Sequence, residues 1–167
     1  MRFSAKNMVL CSLFASLMAV CAWISVPVLN IAFTLQTLAV FLTLGLLGGR
    51  RGFSAVLIYL LLGAAGMPVF SGFQGGIGTL LGVTGGYLWG FALAGPVYWL
   101  LERFGKLPAM IVCQLVCYLC GSLWFHLYAG GGLWLILARC VLPYLLPDGI
   151  KIVLACTLSR RLGRHLT

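Results

Sequence analysis

Long runs without a charged side chain constrain the fold of this chain more than any other feature of its sequence. The uncharged run after Lys6 is 43 residues long, the run after Arg51 is 50, and the run after Lys106 is 32. A helix that spans a bilayer needs about 20 mostly apolar residues. The chain has 167 residues and only 8% of them are charged, whereas a soluble domain has about 25%. These values predict an integral membrane protein.

The lengths of the runs predict six transmembrane helices in one all-α domain, residues 1–167. The first two runs each have room for two crossings, and the third has room for one crossing and an outer segment. The last apolar stretch, about 140–159, has room for one more. We expect the first helix, about 7–26, to be retained rather than cleaved as a signal. An even number of crossings places both termini on the same side of the membrane.

The positions of the basic residues predict which side that is. Lys and Arg concentrate in cytoplasmic loops. Nine of the eleven basic residues lie before the first helix, after the last helix, or in the second and fourth connections, and the other three connections carry no charge. We therefore predict an N-in/C-in, multi-pass protein of the cytoplasmic membrane. The net charge of +9 then reflects topology, and it does not indicate a nucleic-acid partner.

The connection between the third and fourth predicted helices is rich in glycine. Residues 63–78, "GAAGMPVFSGFQGGIG", contain six glycines, one proline and two phenylalanines. Irregular backbone at membrane depth is tolerated only where it is buried in protein or lines a cavity. We expect an outer lid loop, with Phe70 and Phe73 as its apolar cover. A plain flexible connector is the alternative.

The stretch "LGVTGGYLWGF", residues 81–91, opens the fourth predicted helix. Gly85 and Gly86 leave one side of this helix without side chains, and Thr84 and Tyr87 place hydroxyl groups beside the gap. A flat, neutral polar ring could lie against such a surface. Tight packing between helices is the rival explanation, because Gly82 and Gly86 have the spacing of small residues at membrane helix interfaces.

The stretch "LPDGIKIVLA", residues 146–155, contains an acid and a base three residues apart. Asp148 and Lys151 therefore share one helical face, and ionisable groups within a span usually face a cavity or each other. Pro147 suits the first turn of a helix and Asp148 suits its N-terminus, which would place the pair near the outer mouth. We expect Asp148 to accept hydrogen bonds from ligand N–H groups and Lys151 to donate to a ligand oxygen. A structural ion pair is the alternative.

Polar and small residues elsewhere suggest further roles. Gln36 lies near the outer end of the second predicted helix, where it can cap a ligand pocket or meet interfacial water. Ala15 and Ala19 are four residues apart on the first helix, a spacing that lets helix backbones approach closely. They can form a docking surface for another membrane subunit or pack inside the helix bundle.

The sequence contains no catalytic or cofactor motif. Gly105-Lys106 has neither the earlier glycine nor the following Ser or Thr of an ATP-binding P-loop. Cys113, Cys117 and Cys120 share a helical face, but no His or carboxylate accompanies them at ligand spacing, so we expect packing rather than a metal site. We predict no cofactor, no metal and no enzyme activity.

Three stretches together resemble the BioY family, the biotin-specific substrate-binding components of energy-coupling-factor (ECF) vitamin transporters. They are "FTLQTLAVFLTLGLLGGRRG", "YLLLGAAGMPVFSGFQGGIGTLLGVTGGYLWGF" and "LPYLLPDGIKIVLA". The resemblance implies capture of biotin from outside a bacterial or archaeal cell and its uptake across the cell membrane. It also implies a transmembrane coupling subunit, on which Ala15 and Ala19 would pack, and two ATPase subunits as partners.

The resemblance also implies a set of substrate-binding residues. The two N–H groups of the biotin ureido ring would face Asp148, its oxygen would face Lys151, and Arg139 could meet the valerate carboxylate or extend to the interface. The backbones of four glycines would approach the ring, and two aromatic side chains would cover its sulfur side. The expected set is Asp148, Lys151, Phe73, Gly75, Gly76, Thr84, Gly85, Gly86, Tyr87 and Gln36.

Three other functions remain possible at the level of sequence. The chain could be a substrate-binding component for a different vitamin, a small integral-membrane enzyme, or a purely structural membrane subunit. The enzyme would need a catalytic constellation beyond Asp148 and Lys151. The structural subunit would leave this acid–base pair and the glycine-rich loop unexplained.

Overall fold

The computed structural model describes residues 5–28, 31–130 and 132–166. Its helices are α1 Ala5–Trp23, α2 Gln36–Ala64, α3 Ile77–Leu81, α4 Gly85–Leu101, α5 Lys106–Ala129, α6 Leu133–Cys140 and α7 Leu142–Leu166. Its strands are β1 Ser25–Val28 and β2 Ile31–Thr34. Single 3₁₀ turns occur at Ser71–Phe73 and Glu102–Phe104. The fold is helical, as the uncharged runs predict.

Within the described residues, four helical segments are long and apolar enough to cross a membrane. They are Ala5–Trp23, Gln36–Ala64, Lys106–Ala129 and Ile136–Gly163. The fourth segment includes the end of α6, the break near Val141 and most of α7. α4 is apolar too, but it is 17 residues long. The chain is thus a multi-pass membrane protein.

α2 is interrupted near its middle by Gly48. This residue has φ 77° and ψ 168°, a left-handed backbone conformation that favours glycine. The Gly49 N–H, which would bond the Gly45 carbonyl in a regular helix, instead donates to Glu102 Oε2 at 2.8 Å. The Gly45 carbonyl accepts from Lys106 Nζ at 2.7 Å. Two side chains thus replace the missing helical bond, and the break lies beside Arg50 and Arg51, the basic residues of the second predicted connection.

A short β-hairpin joins α1 to α2. β1 and β2 are antiparallel, with Ser25 opposite Thr34 and Val26 opposite Phe33. The Leu35 N–H donates to the Ile24 carbonyl at 3.2 Å and closes the base of the hairpin. The sequence analysis predicted an all-α fold and no strand in this region, so the hairpin is a correction to it.

Glycines allow α4 and α5 to pack closely. A β-carbon at Gly86 would collide with the Trp124 side chain and lie 2.7 Å from the Cys120 carbonyl oxygen. A β-carbon at Gly90 would lie 2.9 Å from the Cys117 α-carbon. The glycines of α4 thus bring the two backbones together, in the manner of small residues at membrane helix interfaces.

α7 begins earlier than the sequence predicted. Its first residue is Leu142, so Pro143 occupies the first turn and Pro147 lies inside the helix. Asp148 is therefore more than a turn from the N-terminus, and the expected stabilisation by the first turn does not apply to it. This correction moves the acid–base pair away from the helix end and deeper into the protein.

Candidate functional site

A cavity of about 480 Å³ lies between the hairpin, α2, the glycine-rich connection, α4, α5 and α7. This volume is within the range of small-molecule sites. The described residues that line the cavity combine aromatic walls with neutral polar groups and one acid–base pair. They are Ser25, Phe33, Thr34, Gln36, Thr37, Phe70, Ser71, Gly72, Gln74, Thr79, Thr84, Tyr87, Leu88, Phe91, Gln114, Cys117, Tyr118, Tyr144, Asp148 and Lys151.

Asp148 is the centre of a buried polar cluster in the cavity lining. Its Oδ1 accepts from Lys151 Nζ at 2.8 Å. Its Oδ2 accepts from the Tyr118 hydroxyl at 2.8 Å and from Gln114 Nε2 at 3.0 Å. Asp148 and Lys151 are each 5% exposed. Because a carboxylate has about four lone-pair sites, these three bonds leave about one for another donor.

Gln114 carries a second free acceptor in this cluster. Its Oε1 atom is buried and has no hydrogen-bond partner within the part of the chain that the structure describes. Buried polar atoms are nearly always hydrogen-bonded, so such an exception calls for an explanation. The Gln114 side chain lines the cavity, and a donor on a bound molecule would satisfy this oxygen.

The cluster lies deep in the helices. Gln114 is separated from Ala129, the last residue of α5, by about 22 Å of helix at roughly 1.5 Å per residue. Lys151 Nζ also lies 4.0 Å from the centroid of the Phe33 ring, within the distance of a cation–π interaction. Asp148 and the Phe33 ring therefore hold the ammonium group in a fixed position.

A hydrogen-bonded chain connects a second part of the cavity lining to the glycine-rich connection. Gln36 Nε2 donates to the Tyr59 hydroxyl at 2.8 Å, and this hydroxyl donates to the Val69 carbonyl at 3.0 Å. The Phe70 ring meets the Tyr59 ring edge-on, with centroids 5.6 Å apart. Gln36 and Tyr59 are buried, with 4% and 0% exposure. The Gln36 side chain, which lines the cavity, is thus linked to the connection through the Tyr59 hydroxyl group.

The cavity brings together half of the residues that the sequence analysis selected. Gln36, Thr84, Tyr87, Asp148 and Lys151 all line it. The Tyr87 hydroxyl donates to the Cys140 carbonyl at 2.6 Å, and this bond fixes the ring in the wall of the cavity.

Gly85 and Gly86 are not among the lining residues. A β-carbon at Gly85 would collide with the Leu80 carbonyl, and one at Gly86 would collide with Trp124. Their contacts agree with the rival explanation, tight packing, rather than with a wall of the cavity.

Phe73, Gly75 and Gly76 also lie outside the lining. The Phe73 side chain is 64% exposed and stacks on Trp23 with centroids 5.1 Å apart. A β-carbon at Gly75 would collide with the Met67 carbonyl, and Gly76 has φ +90°. These two glycines allow the backbone conformation of the connection. Phe70, which is 1% exposed, is the aromatic residue of the connection that lines the cavity.

Ala15 and Ala19 do not form an accessible surface. They are 3% and 6% exposed and belong to the apolar core with residues of α2 such as Val40 and Phe41. The expected docking surface is therefore corrected to packing inside the chain, the alternative given for this spacing.

Sequence reasoning missed Gln114 and Tyr118, which complete the polar cluster. Both are in α5, four residues apart, so they lie on the same helical face. A glutamine in the middle of a 32-residue uncharged run was a usable signal, because a polar group within a span usually faces protein or a cavity. Arg139, by contrast, is exposed and is not among the lining residues.

Comparison with known proteins identifies relatives of this chain. The model of the BioY family matches residues 1–167. The probable biotin transporter BioY of Pyrococcus horikoshii is 39% identical over 158 residues, with 95% of this chain and 96% of the relative covered. The biotin transporter BioY of Thermotoga maritima is 38% identical over 164 residues, with the same coverage.

A solved structure has a similar fold. The crystal structure of the S-component for biotin from an ECF-type ABC transporter superposes with a TM-score of 0.89, at 21% identity, over 98% of this chain and 95% of that one. At this identity the likeness concerns the fold. The match of the family model along the whole sequence and the identity to full-length relatives lead to one conclusion: this chain belongs to the BioY family.

Proposed function

We propose that this chain captures biotin from outside a bacterial or archaeal cell and carries it across the cytoplasmic membrane as the substrate-binding component of an ATP-driven ECF transporter. The single observation that carries the proposal is the deep cluster of Gln114, Tyr118, Asp148 and Lys151. Family membership and the names of the relatives, biotin transporters, support it. The same relatives are transporters and not enzymes.

The cluster suits the ureido ring of biotin in both charge and hydrogen-bond direction. The ring is neutral and has two N–H donors and one carbonyl oxygen. The remaining lone pair of Asp148 and the unpaired Gln114 Oε1 offer two acceptors, and the ammonium group of Lys151 has two further N–H donors for the carbonyl oxygen. Because the acid and base compensate each other, a neutral ring adds no unpaired charge to the buried site.

The walls suit the apolar part of the ligand. Phe33, Leu88, Phe91 and Tyr144 line the cavity, and their rings and methyl groups would cover the sulfur ring and the alkyl chain. Small-molecule sites usually combine such apolar surfaces with a few convergent polar groups.

The glycine-rich connection is proposed as the lid. Val69 and Phe70 are buried, and Phe70 lines the cavity. Trp23 Nε1 donates to the Pro68 carbonyl at 2.8 Å, so the end of α1 holds the connection from the other side. Opening would break this bond and the bond between Tyr59 and Val69, and it would expose the mouth of the cavity.

The topology that goes with this function has six crossings and an N-in/C-in orientation. α2 supplies two crossings, because its helix breaks at Gly48. One crossing each comes from α1, α4 and α5, and α6 together with α7 supplies the sixth. The basic end of the bundle, where Lys106 bonds Gly45 and the Ser159 carbonyl, would face the cytoplasm.

The energy for uptake would come from partner subunits. The sequence has no P-loop for ATP, so we propose a transmembrane coupling subunit and two ATPase subunits. The outward faces of the apolar helices would contact lipid and the coupling subunit, since Ala15 and Ala19 are already buried within the chain.

Biotin titration of the purified, detergent-solubilised chain tests the proposal. Isothermal calorimetry should give tight, one-to-one binding of biotin without ATP, and thiamine and riboflavin should give no heat of binding. A monodisperse, helical sample that binds none of the three would refute biotin capture, and selective binding of another vitamin would reassign the ligand.

A further inference from the structure

The charged side chains that line the cavity are unusual for a site that binds a carboxylic acid. Among its described lining residues, Asp148 and Lys151 are the charged side chains. They are joined by an ion pair of 2.8 Å, and their side chains are 7% and 6% exposed. The lining therefore has no net charge, and its cation is already compensated by a carboxylate.

The ion pair also has further partners within the protein. It contacts Gln114 and Tyr118 of α5, deep in the helices, where the bicyclic head of the ligand is proposed to bind. The hairpin, α2 and the connection contribute only neutral hydroxyl and amide groups to the polar lining, namely Ser25, Thr34, Gln36, Thr37, Ser71 and Gln74.

Such neutral groups do not distinguish a carboxylate from a neutral acyl group strongly. Hydrogen bonds between ionised partners are about twice as strong as neutral ones, and a site discriminates strongly only when a buried group is left unpaired by the wrong ligand. Hydroxyl and amide donors can bond the oxygen of an amide as well as that of a carboxylate. Loss of the tail charge thus leaves no buried cation unpaired here.

We infer that the cavity recognises the bicyclic head of its ligand and not the charge of the tail, so that neutral amides of biotin are ligands too. This inference rests on the proposed function. It names the substrate class as biotin and its uncharged tail derivatives.

Competition binding measures the inference directly. The full-length chain in detergent is first loaded with radiolabelled biotin. The label is then displaced with unlabelled biotin or with biotinamide. Anion exchange removes any contaminating biotin from the biotinamide beforehand. We expect the dissociation constants of the two competitors to agree within tenfold. A biotinamide constant more than tenfold weaker would overturn the inference.

A substitution of the cavity cation separates the two possible roles of Lys151. In Lys151→Gln, binding of biotin and of biotinamide should weaken by the same factor, because both ligands present the same head to this residue. If biotin alone weakens and biotinamide does not, Lys151 binds the tail carboxylate and the inference is wrong. Where this variant does not fold, the ratio of the two constants in the natural chain decides the question.

The experiment also keeps the two proposals apart. Failure of biotin itself to bind refutes the proposed function. Binding of biotin with rejection of biotinamide leaves the proposed function intact and refutes only the tolerance of a neutral tail.

Discussion

Asp148 has a double role in this protein, because it neutralises Lys151 and organises the donors around it. Three protein groups bond its two oxygens. Removing one partner of a buried ion pair costs about 3–5 kcal/mol, since the other charge is left uncompensated. A role in ligand binding alone would predict that substitution of either residue weakens binding without unfolding. The burial of both side chains leads to a different expectation.

We predict that Asp148→Asn lowers both the affinity for biotin and the thermal midpoint of unfolding. The double variant Asp148→Asn/Lys151→Met should regain most of the lost thermal stability, because no unpaired charge remains, but it should not regain binding. Tryptophan fluorescence during heating and calorimetric titration measure the two properties. Recovery of biotin binding in the double variant would remove the pair from the ligand site.

Gln114 and Ser122 offer a matched comparison on one helix. Both have a buried polar oxygen without a hydrogen-bond partner in the described part of the chain, but only Gln114 lines the cavity. Gln114→Met should weaken biotin binding by about 10- to 100-fold, the loss of one or two hydrogen bonds. Ser122→Ala should bind like the natural chain. Equal affinities of the two variants would contradict the assignment of Gln114 Oε1 to the ligand.

At the scale of helices, close packing of α4 on α5 holds the cavity wall in place. Tyr87 is in α4 and its ring rests on Gly121 of α5, where a β-carbon would lie 2.5 Å from the Tyr87 ring. The position of a lining side chain thus depends on glycines that do not line the cavity.

We predict that Gly86→Ala destabilises the protein, because the added methyl group meets Trp124 and the Cys120 carbonyl. Overpacking of this kind costs about 1–3 kcal/mol, seen as a lower midpoint of thermal unfolding in detergent. Gly78→Ala is the control, since a β-carbon at Gly78 has nothing within 4 Å. If the midpoint of thermal unfolding of Gly86→Ala is no lower than that of Gly78→Ala, the helix interface has space for the methyl group and the prediction is wrong.

The helical elements could be predicted because uncharged runs and glycine breaks are properties of sequence. A connection at the position where α2 breaks and the irregular glycine-rich connection were both expected. The inward faces could not be predicted, because helices such as α1 and α5 are apolar all round and their pattern does not separate a lipid-facing side from a buried one. For this reason the sequence could not decide between packing and an open surface for Ala15 and Gly86, and Gln114 was overlooked.

The hairpin was missed for another physical reason. Its strands have four residues each, too few for a periodic pattern to stand out from a helix end. β-Branched residues and Pro27 are compatible with a turn as well as with a strand. Only the pairing of Ser25 with Thr34 in space distinguishes the two.

At the scale of the whole molecule, two ends of the bundle differ in chemistry. One end contains Lys106 and Glu102, which bond the interrupted backbone of α2. The other contains the hairpin and the connection, joined by the bond from Trp23 to Pro68. The proposed orientation places the first end in the cytoplasm and the second outside.

Thiol labelling of single added cysteines tests this orientation. In intact cells, a membrane-impermeant maleimide should label Gly132→Cys, at the exposed start of α6, and should not label Arg160→Cys, near the end of α7. In inverted membrane vesicles the result should be reversed. The natural chain, with its seven cysteines, gives the background, and labelling of Arg160→Cys in intact cells would contradict an inner C-terminus.

The neutrality of the cavity lining also determines what the membrane potential acts on during uptake. Because Asp148 and Lys151 cancel, the occupied cavity has only the charge of its ligand. A biotin anion that moves inward against an inside-negative potential costs about 2.3 kcal/mol per 100 mV. The voltage would oppose every anion delivered, so the proposed ATPase subunits would have to supply that work as well as the work against any concentration gradient. For an uncharged biotin amide, transport would be indifferent to voltage.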